Sequence, residues 1–255
     1  MMRGVARATG GLDAEIAIMA RDLSNSYDFL QIAEKFRQAR RFNEAKDWAS
    51  KGVKAFGERA DERLVDFLAN EHHRSGDHAQ AMKLAWSQFE KSPFFEPYKS
   101  LKNHGVRAGE WPAWRERALA LIRSEQEAGR PRRYGTPPRD AGTLVQVFLW
   151  EKNPAAALQE AEAGGCPGFL WLEIARALER TKPERAVKIY QEQLPGVLAQ
   201  VSNADYRPAI ALIKRVLAIL ERLGRSAEFP GYVLSLRAQF KAKRNFMKLL
   251  AAEGW

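Results

Sequence analysis

The chain has 255 residues, 45% of them hydrophobic, with 41 lysines and arginines against 31 aspartates and glutamates and a formal charge of +10. This is enough apolar material for a core well above the small-domain minimum, and the charge favours acidic partners, nucleic acid or acidic protein surfaces, without choosing between them. A single cysteine, Cys166, excludes an internal disulfide framework and a cysteine-based zinc finger, no uninterrupted apolar run reaches the roughly 18 residues of a spanning helix, and the opening MMRGVARATGGLDAE lacks the apolar stretch of a secretory signal, so the expected location is cytoplasmic.

Apolar residues recur at spacings of three and four, which predicts helix almost throughout and no strand. After a flexible N-terminus over 1–11, a first helix is expected at about 12–22, with Leu12, Ile16, Met19 and Leu23 on one side. Ser24-Asn25-Ser26 then reads as its stop and as the cap of the next helix.

Residues 27–93 repeat. Ala33 and Ala69, Ala45 and Ala81, and Ala49 and Ala85 each lie 36 positions apart, as do Phe29 and Val65, Ile32 and Leu68, and Gly57 and Pro93. A small residue midway in a helix lets its partner approach closely, while bulky residues a turn away fill the space between successive pairs. One helix pair cannot bury its apolar face alone, so stacking is implied. The period, with its alanine, aromatic and terminal proline placement, resembles the tetratricopeptide repeat, which implies an all-α solenoid of stacked antiparallel helix pairs.

A third pair is expected at about 94–107 and 111–124, carrying Trp111, Trp114, Ala118, Leu121 and Ile122. The stretch GRPRRYGTPPRDAG at 129–142 cannot continue a helix and reads as a hinge between an N-terminal half, 12–128, and a C-terminal half, 143–255. Helices resume at about 143–151, 154–163 and 169–180, with GGCPG at 164–168 as a tight turn. Pro183 starts the next helix at its first position. A helix at about 205–223 ends at Gly224, and a last segment at 227–252, bearing Phe229, Val233, Leu236 and Phe240, is expected to cap the stack.

Residues 12–56, GEWPAWRERAL at 109–119 and LRAQFKAKRNFMKLL at 236–250 resemble the helical region that follows the zinc finger in bacterial SWIM zinc finger family proteins. The resemblance implies a helical region attached, in relatives, to a small module with a Cys-x-Cys and a Cys-x-His around one zinc ion. With Cys166 alone, that finger and its zinc are not carried over.

The inner helices of a repeat stack line a concave groove. By alignment to the repeat, Tyr27, Glu34 and Arg37 in one unit and Arg63, Asp66, Asn70, His73 and Arg74 in the next face it, positions that suit either a protein partner or a solvated helix face. The carboxylate clamp of some tetratricopeptide cochaperones needs lysine and asparagine where this chain has Leu30 and Glu34, which argues against that ligand.

Arg237, Lys241, Arg244 and Lys248, spaced 4, 3 and 4, are expected on one face of the last helix. Ten lysines and arginines stand there between 207 and 248 against Glu221 and Glu228, as a nucleic-acid or acidic-partner stripe would require, or as an exposed face near a helix C-terminus would tolerate. Arg130, Arg132, Arg133 and Arg139 make the hinge basic. EHHRSGDH at 71–78 concentrates three of the four histidines, but without the spacing of a metal site; His72 is expected toward the core. Cys166 has no histidine near it in sequence, carboxylates form no isolated acid–base pair, and no glycine-rich phosphate loop occurs. The reading is a non-enzymatic scaffold for a protein segment, without cofactor or metal, or alternatively a nucleic-acid-binding protein.

Overall fold

The computed structural model describes residues 11–128, 141–200 and 205–255. These hold 14 α-helices and, among the described residues, no strand. They fall into two compact units, one ending at Ser124 and the other starting at Glu125. Most of the expected hinge, 129–140, and most of the expected flexible N-terminus, 1–10, lie outside the described residues; the last hinge position, Gly142, already opens a helix.

The first unit runs through α1 (Gly11–Met19), α2 (Ser26–Gln38), α3 (Phe42–Phe56), α4 (Glu62–Arg74), α5 (His78–Lys91), α6 (Phe95–Ala108) and α7 (Trp111–Glu127, whose end crosses the unit boundary). It is a tetratricopeptide-like stack: α2 packs on α3, α3 on α4, α4 on α5 and α5 on α6, and each inner helix also touches the next, α2 on α4 and α4 on α6.

Local chemistry sets the boundaries. Asn25 caps α2 in a capping box, accepting from the Asp28 N–H while Asp28 accepts from the Asn25 N–H. Asp61 and Asp77 cap α4 and α5 through the N–H groups of Arg63 and Gln80. Each hairpin turn closes the same way: the Arg41 N–H donates to the Phe36 carbonyl and the Asp77 N–H to that of His72, across a left-handed residue at Arg40 (φ 59°) and at Gly76 (φ 81°), 36 positions on.

The repeated small residues do what their spacing implies. Ala33, Ala45, Ala49, Ala69 and Ala81 have no exposed surface. They let α2, α3 and α4 close around Phe29, Ile32, Phe36, Leu64 and Leu68. Gly52 is tighter still: a Cβ there would lie 2.6 Å from the Phe29 Cβ and 2.8 Å from the Leu64 Cδ2. Trp86, Phe89, Tyr98, Trp111 and Trp114 form an aromatic run through the second and third pairs, with neighbouring centroids 5.3 to 6.4 Å apart.

The second unit contains α8 (Gly142–Trp150), α9 (Pro154–Gly164), α10 (Gly168–Leu178), α11 (Pro183–Ala199), α12 (Arg207–Arg222), α13 (Phe229–Gln239) and α14 (Arg244–Ala252). Pro154 and Pro183 stand at helix starts, where the missing N–H costs nothing. Gly224 (φ 70°) follows α12 in the left-handed region, and the Arg225 N–H reaches back to the Leu220 carbonyl. Glu179 ties α10, α11 and α12 together, accepting from the Tyr190 hydroxyl and the Arg215 guanidinium, each at 2.7 Å, through one carboxylate oxygen; Arg222 donates to its carbonyl.

The capping segment differs from expectation. It is not one helix over 227–252: a 3₁₀ turn at Ser226–Glu228 leads into α13, and the chain breaks at 240–243 before α14. Its apolar residues explain the break. Phe229, Val233 and Leu236 keep helical spacing, but the next buried residues are Phe246 and Leu250, where an unbroken helix would bury Lys243 and Met247. Turning the chain there seats Phe246 against Tyr206, centroids 5.7 Å apart, and Phe240 edge-on to Phe246.

Candidate partner-binding groove

Three consecutive inner helices of the first unit present one face each to a concave cavity of about 540 Å³. On α2 the lining residues are Tyr27, Leu30, Glu34 and Arg37, spaced 3, 4 and 3; on α6 they include Glu96, Ser100 and His104, spaced 4 and 4. Between them, α4 contributes Glu62, Arg63, Asp66 and Asn70, and α5 closes the floor with Ala85 and Phe89. A smaller recess of about 330 Å³ shares Tyr27 and Glu34 and continues over Glu15, Gln31 and Lys35.

Six of the eight residues expected to face the groove line it: Tyr27, Glu34, Arg37, Arg63, Asp66 and Asn70. Two do not. Arg74 lies about 80° around α4 from Asp66 at 100° per residue, which turns it toward α3; its guanidinium sits 4.0 Å from the Phe42 ring centroid and donates to buried Glu71 at 2.7 Å. His73 is on the groove side of α4 but is only 5% exposed, covered by α5 and α6. The neighbouring His72, expected toward the core, is largely buried, though less so than His73, and pairs with Asp77 at 3.0 Å.

Behind the groove wall the structure assembles a linear hydrogen-bonded chain. His104 Nε2 lies 2.9 Å from Asp66 Oδ1, His73 Nε2 lies 3.1 Å from His104 Nδ1, and His78 Nδ1 lies 2.7 Å from His73 Nδ1. An ionised carboxylate can only accept, so His104 Nε2 donates to Asp66. With neutral rings the rest follows: His73 Nε2 donates to His104, and His78 Nδ1 donates to His73. His73 uses its two nitrogens in opposite directions, so the rings form a wire rather than a set converging on one point.

Burial, reinforced by His104, Arg107 and His78 nearby, pushes the His73 pKa down to about 4. The bond from His104 holds the Asp66 carboxyl below its ordinary range, and Asn70 Nδ2, at 2.9 Å, and the Ser100 hydroxyl also donate to that carboxylate.

Sequence reasoning did not identify His104, Ser100, Glu96 or Glu62. A signal was present for the first: carried one repeat further, the same offset places His104 where Ile32 and Leu68 stand, and Gly105 where Ala33 and Ala69 stand. All six of these residues are buried, which marks His104 as a histidine in an apolar repeat position.

The C-terminal cations do not lie on one helix as expected. Arg237 is on α13, Lys241 is in the break, and Arg244 and Lys248 are on α14. Other basic residues of 207–248 are engaged: Arg207 with Asp205, Lys214 with Glu253, Arg215 with Glu179 and Arg225 with Glu228. Cys166 is half-buried in the turn before α10.

No family model matches the sequence, and no curated protein matches it significantly. Among solved structures, the chain is similar to the TPR2AB domain of yeast Sti1 in its pHSP90 complex, at 12% identity and a TM-score of 0.32, over 89% of this chain and 91% of that one.

Proposed function

We propose that the first unit is a non-enzymatic scaffold that receives a segment of a partner protein in the groove formed by α2, α4 and α6. One observation carries this reading: three successive inner helices turn exposed polar side chains toward a common cavity whose floor is apolar, Leu30, Val65, Phe67 and Phe89 being buried. Such a surface offers backbone-directed donors and acceptors along its rim and apolar contact beneath, which is what an extended or helical segment needs. Of the groove's carboxylates, Asp66 is held by hydrogen bonds from His104, Asn70 and Ser100 and Glu96 by Lys99, an arrangement that suits fixed polar contacts to a bound segment.

The test is selection of binders from a peptide library on the full chain, followed by Tyr27→Ala with Asn70→Arg. Loss of binding by this double variant, with retention by Lys83→Glu on α5 outside the groove, is the expected result. Equal binding by all three proteins would reject the groove.

On the resemblance of 12–56, 109–119 and 236–250 to SWIM zinc finger proteins, we further propose that the partner is finger-bearing. Co-expression with a SWIM finger polypeptide should then give a complex that survives gel filtration; separate elution would remove this part alone. The alternative, nucleic-acid binding by the basic C-terminal helices, keeps the cation excess over 207–248 but loses the one-helix stripe, since the break at 240–243 spreads Arg237, Lys241, Arg244 and Lys248 over three elements; we favour the groove.

A further inference from the structure

We infer that the occupant of the groove is a polypeptide segment carrying lysine or arginine side chains. The inference rests on the groove reading above and adds the chemistry of the partner. The lining holds four carboxylates, Glu34, Glu62, Asp66 and Glu96, against two guanidiniums, Arg37 and Arg63. Within a chain of formal charge +10, the concave face is therefore inverted to a formal −2.

The two guanidiniums are already engaged. Arg63 donates to both oxygens of Asp61, at 3.0 and 2.7 Å, and lies 4.7 Å from the Tyr27 ring centroid. Arg37 lies 4.6 Å from the Phe67 ring centroid. The carboxylates, Glu96 excepted, form no ion pair with a lysine or arginine in return among the described residues, although Glu34 and Arg63 act on each other through their charges. Glu96 pairs with Lys99 at 2.6 Å, but Glu34 and Glu62 have no ion pair among the described residues. Asp66 accepts from Asn70 and Ser100, which are neutral, and from the imidazole of His104. Three donors fix that carboxylate's orientation in advance, so a cation meets a preorganised acceptor rather than a mobile one.

The apolar floor suits the same ligand. Lysine and arginine carry three or four methylenes before the charge, and Leu30, Val65 and Phe89 beneath a carboxylate rim match a stem that is apolar and a head that is not. Phosphate-bearing ligands meet like charge at every lining carboxylate. An acidic peptide tail meets it as well, in accord with Leu30 and Glu34 standing where a carboxylate clamp needs lysine and asparagine.

The experiment is fluorescence anisotropy on the full chain with three labelled ten-residue probes of lysine, serine and leucine, their glutamate counterpart and their glutamine counterpart. The lysine probe should bind most tightly, lose affinity as salt rises, and weaken by about tenfold or more in Glu34→Lys with Glu62→Lys. Glu116→Lys on α7, outside the groove, should leave it unchanged, and circular dichroism should confirm that both proteins are folded. Tighter binding of the glutamate or glutamine probe, lost in Tyr27→Ala with Asn70→Arg, would overturn the inference while keeping the groove. Binding of any probe that ignores all groove substitutions would remove the groove reading itself. A concentration-dependent dimer of the chain alone, abolished by Glu34→Lys, would overturn the inference in favour of a second copy.

Discussion

Acidification should loosen the first unit, and His73 should be the main reason. A histidine in an unfolded chain titrates near 6.5, whereas His73 in the fold is held at about 4 by burial and by His104, Arg107, His78 and His72 around it. Between these values the unfolded chain binds more protons than the folded one, so stability falls as pH drops from about 6.5 toward 4 and is flat above about 7. Linkage with those two pKa values gives a ceiling of about 2 kcal/mol lost at pH 5, and solvent reaching the groove wall reduces it to roughly 1 kcal/mol. His72, also depressed by burial, acts in the same direction, while the lowered pKa of Asp66 acts only below the ordinary carboxylate range. Amide hydrogen exchange at pH 7.5, 6 and 5, resolved to α4 and α6, measures the loss where it arises. His73→Gln should be less stable than the parent at pH 7.5, because two ring contacts go, yet show a flatter profile toward pH 5. An undiminished slope in that variant would refute the argument.

Three further substitutions test the packing. Gly52→Ala would stabilise by about 1 kcal/mol on helix propensity alone, but the 2.6 Å approach to Phe29 should reverse the sign and leave a net loss of about 1 kcal/mol in urea denaturation; a gain would show that the helices are not in close contact there. Arg40→Gly should stabilise by about 0.5–1 kcal/mol in the same measurement, since Arg40 occupies a left-handed position that its repeat counterpart Gly76 fills without strain; a loss would mean that the arginine side chain contributes more than its backbone costs. Arg74→Ala should cost roughly 2 kcal/mol, because Glu71, 2% exposed, loses its guanidinium. Groove affinity for the lysine probe should not change in that variant, and a large drop would return Arg74 to the groove.

The stacked pairs were legible because packing between helices leaves a trace in residue size. Ala33 and Ala69 must be small for α2 and α4 to meet their partners, and the interval between them sets the repeat. Six groove positions followed from that interval and helical geometry. What escaped had no size signature. Arg40 takes the place of a glycine in its turn, so the recurrence with Gly76 shows only in backbone angles. His104 sits at an aliphatic position, and a polar residue there reads as divergence until its partners on α4 are seen. The break at 240–243 was masked by cations whose 4, 3, 4 spacing imitates a helix face, while the apolar residues had already slipped out of register.

Net charge is a poor guide to what a concave site of this kind binds, and the aromatic residues of the first unit show why. Arg37, Arg41, Arg63, Arg74 and Arg117 lie 4.0 to 4.8 Å from the ring centroids of Phe67, Phe36, Tyr27, Phe42 and Trp86. Each contact fixes a cation against the protein's own surface, and Arg41, Arg63, Arg74 and Arg117 add a carboxylate partner. A residue used in this way still contributes to the long-range field that governs solubility and encounter, but its donors are directed at neighbours rather than at a ligand. The carboxylates of the groove stand differently: outnumbered in the chain, they exceed the guanidiniums of the lining four to two, and Glu34 and Glu62 form no ion pair among the described residues. Recognition at a few ångströms is set by the groups that face the ligand, which is why the proposed segment is matched to the acidic lining and not to the basic excess of the chain.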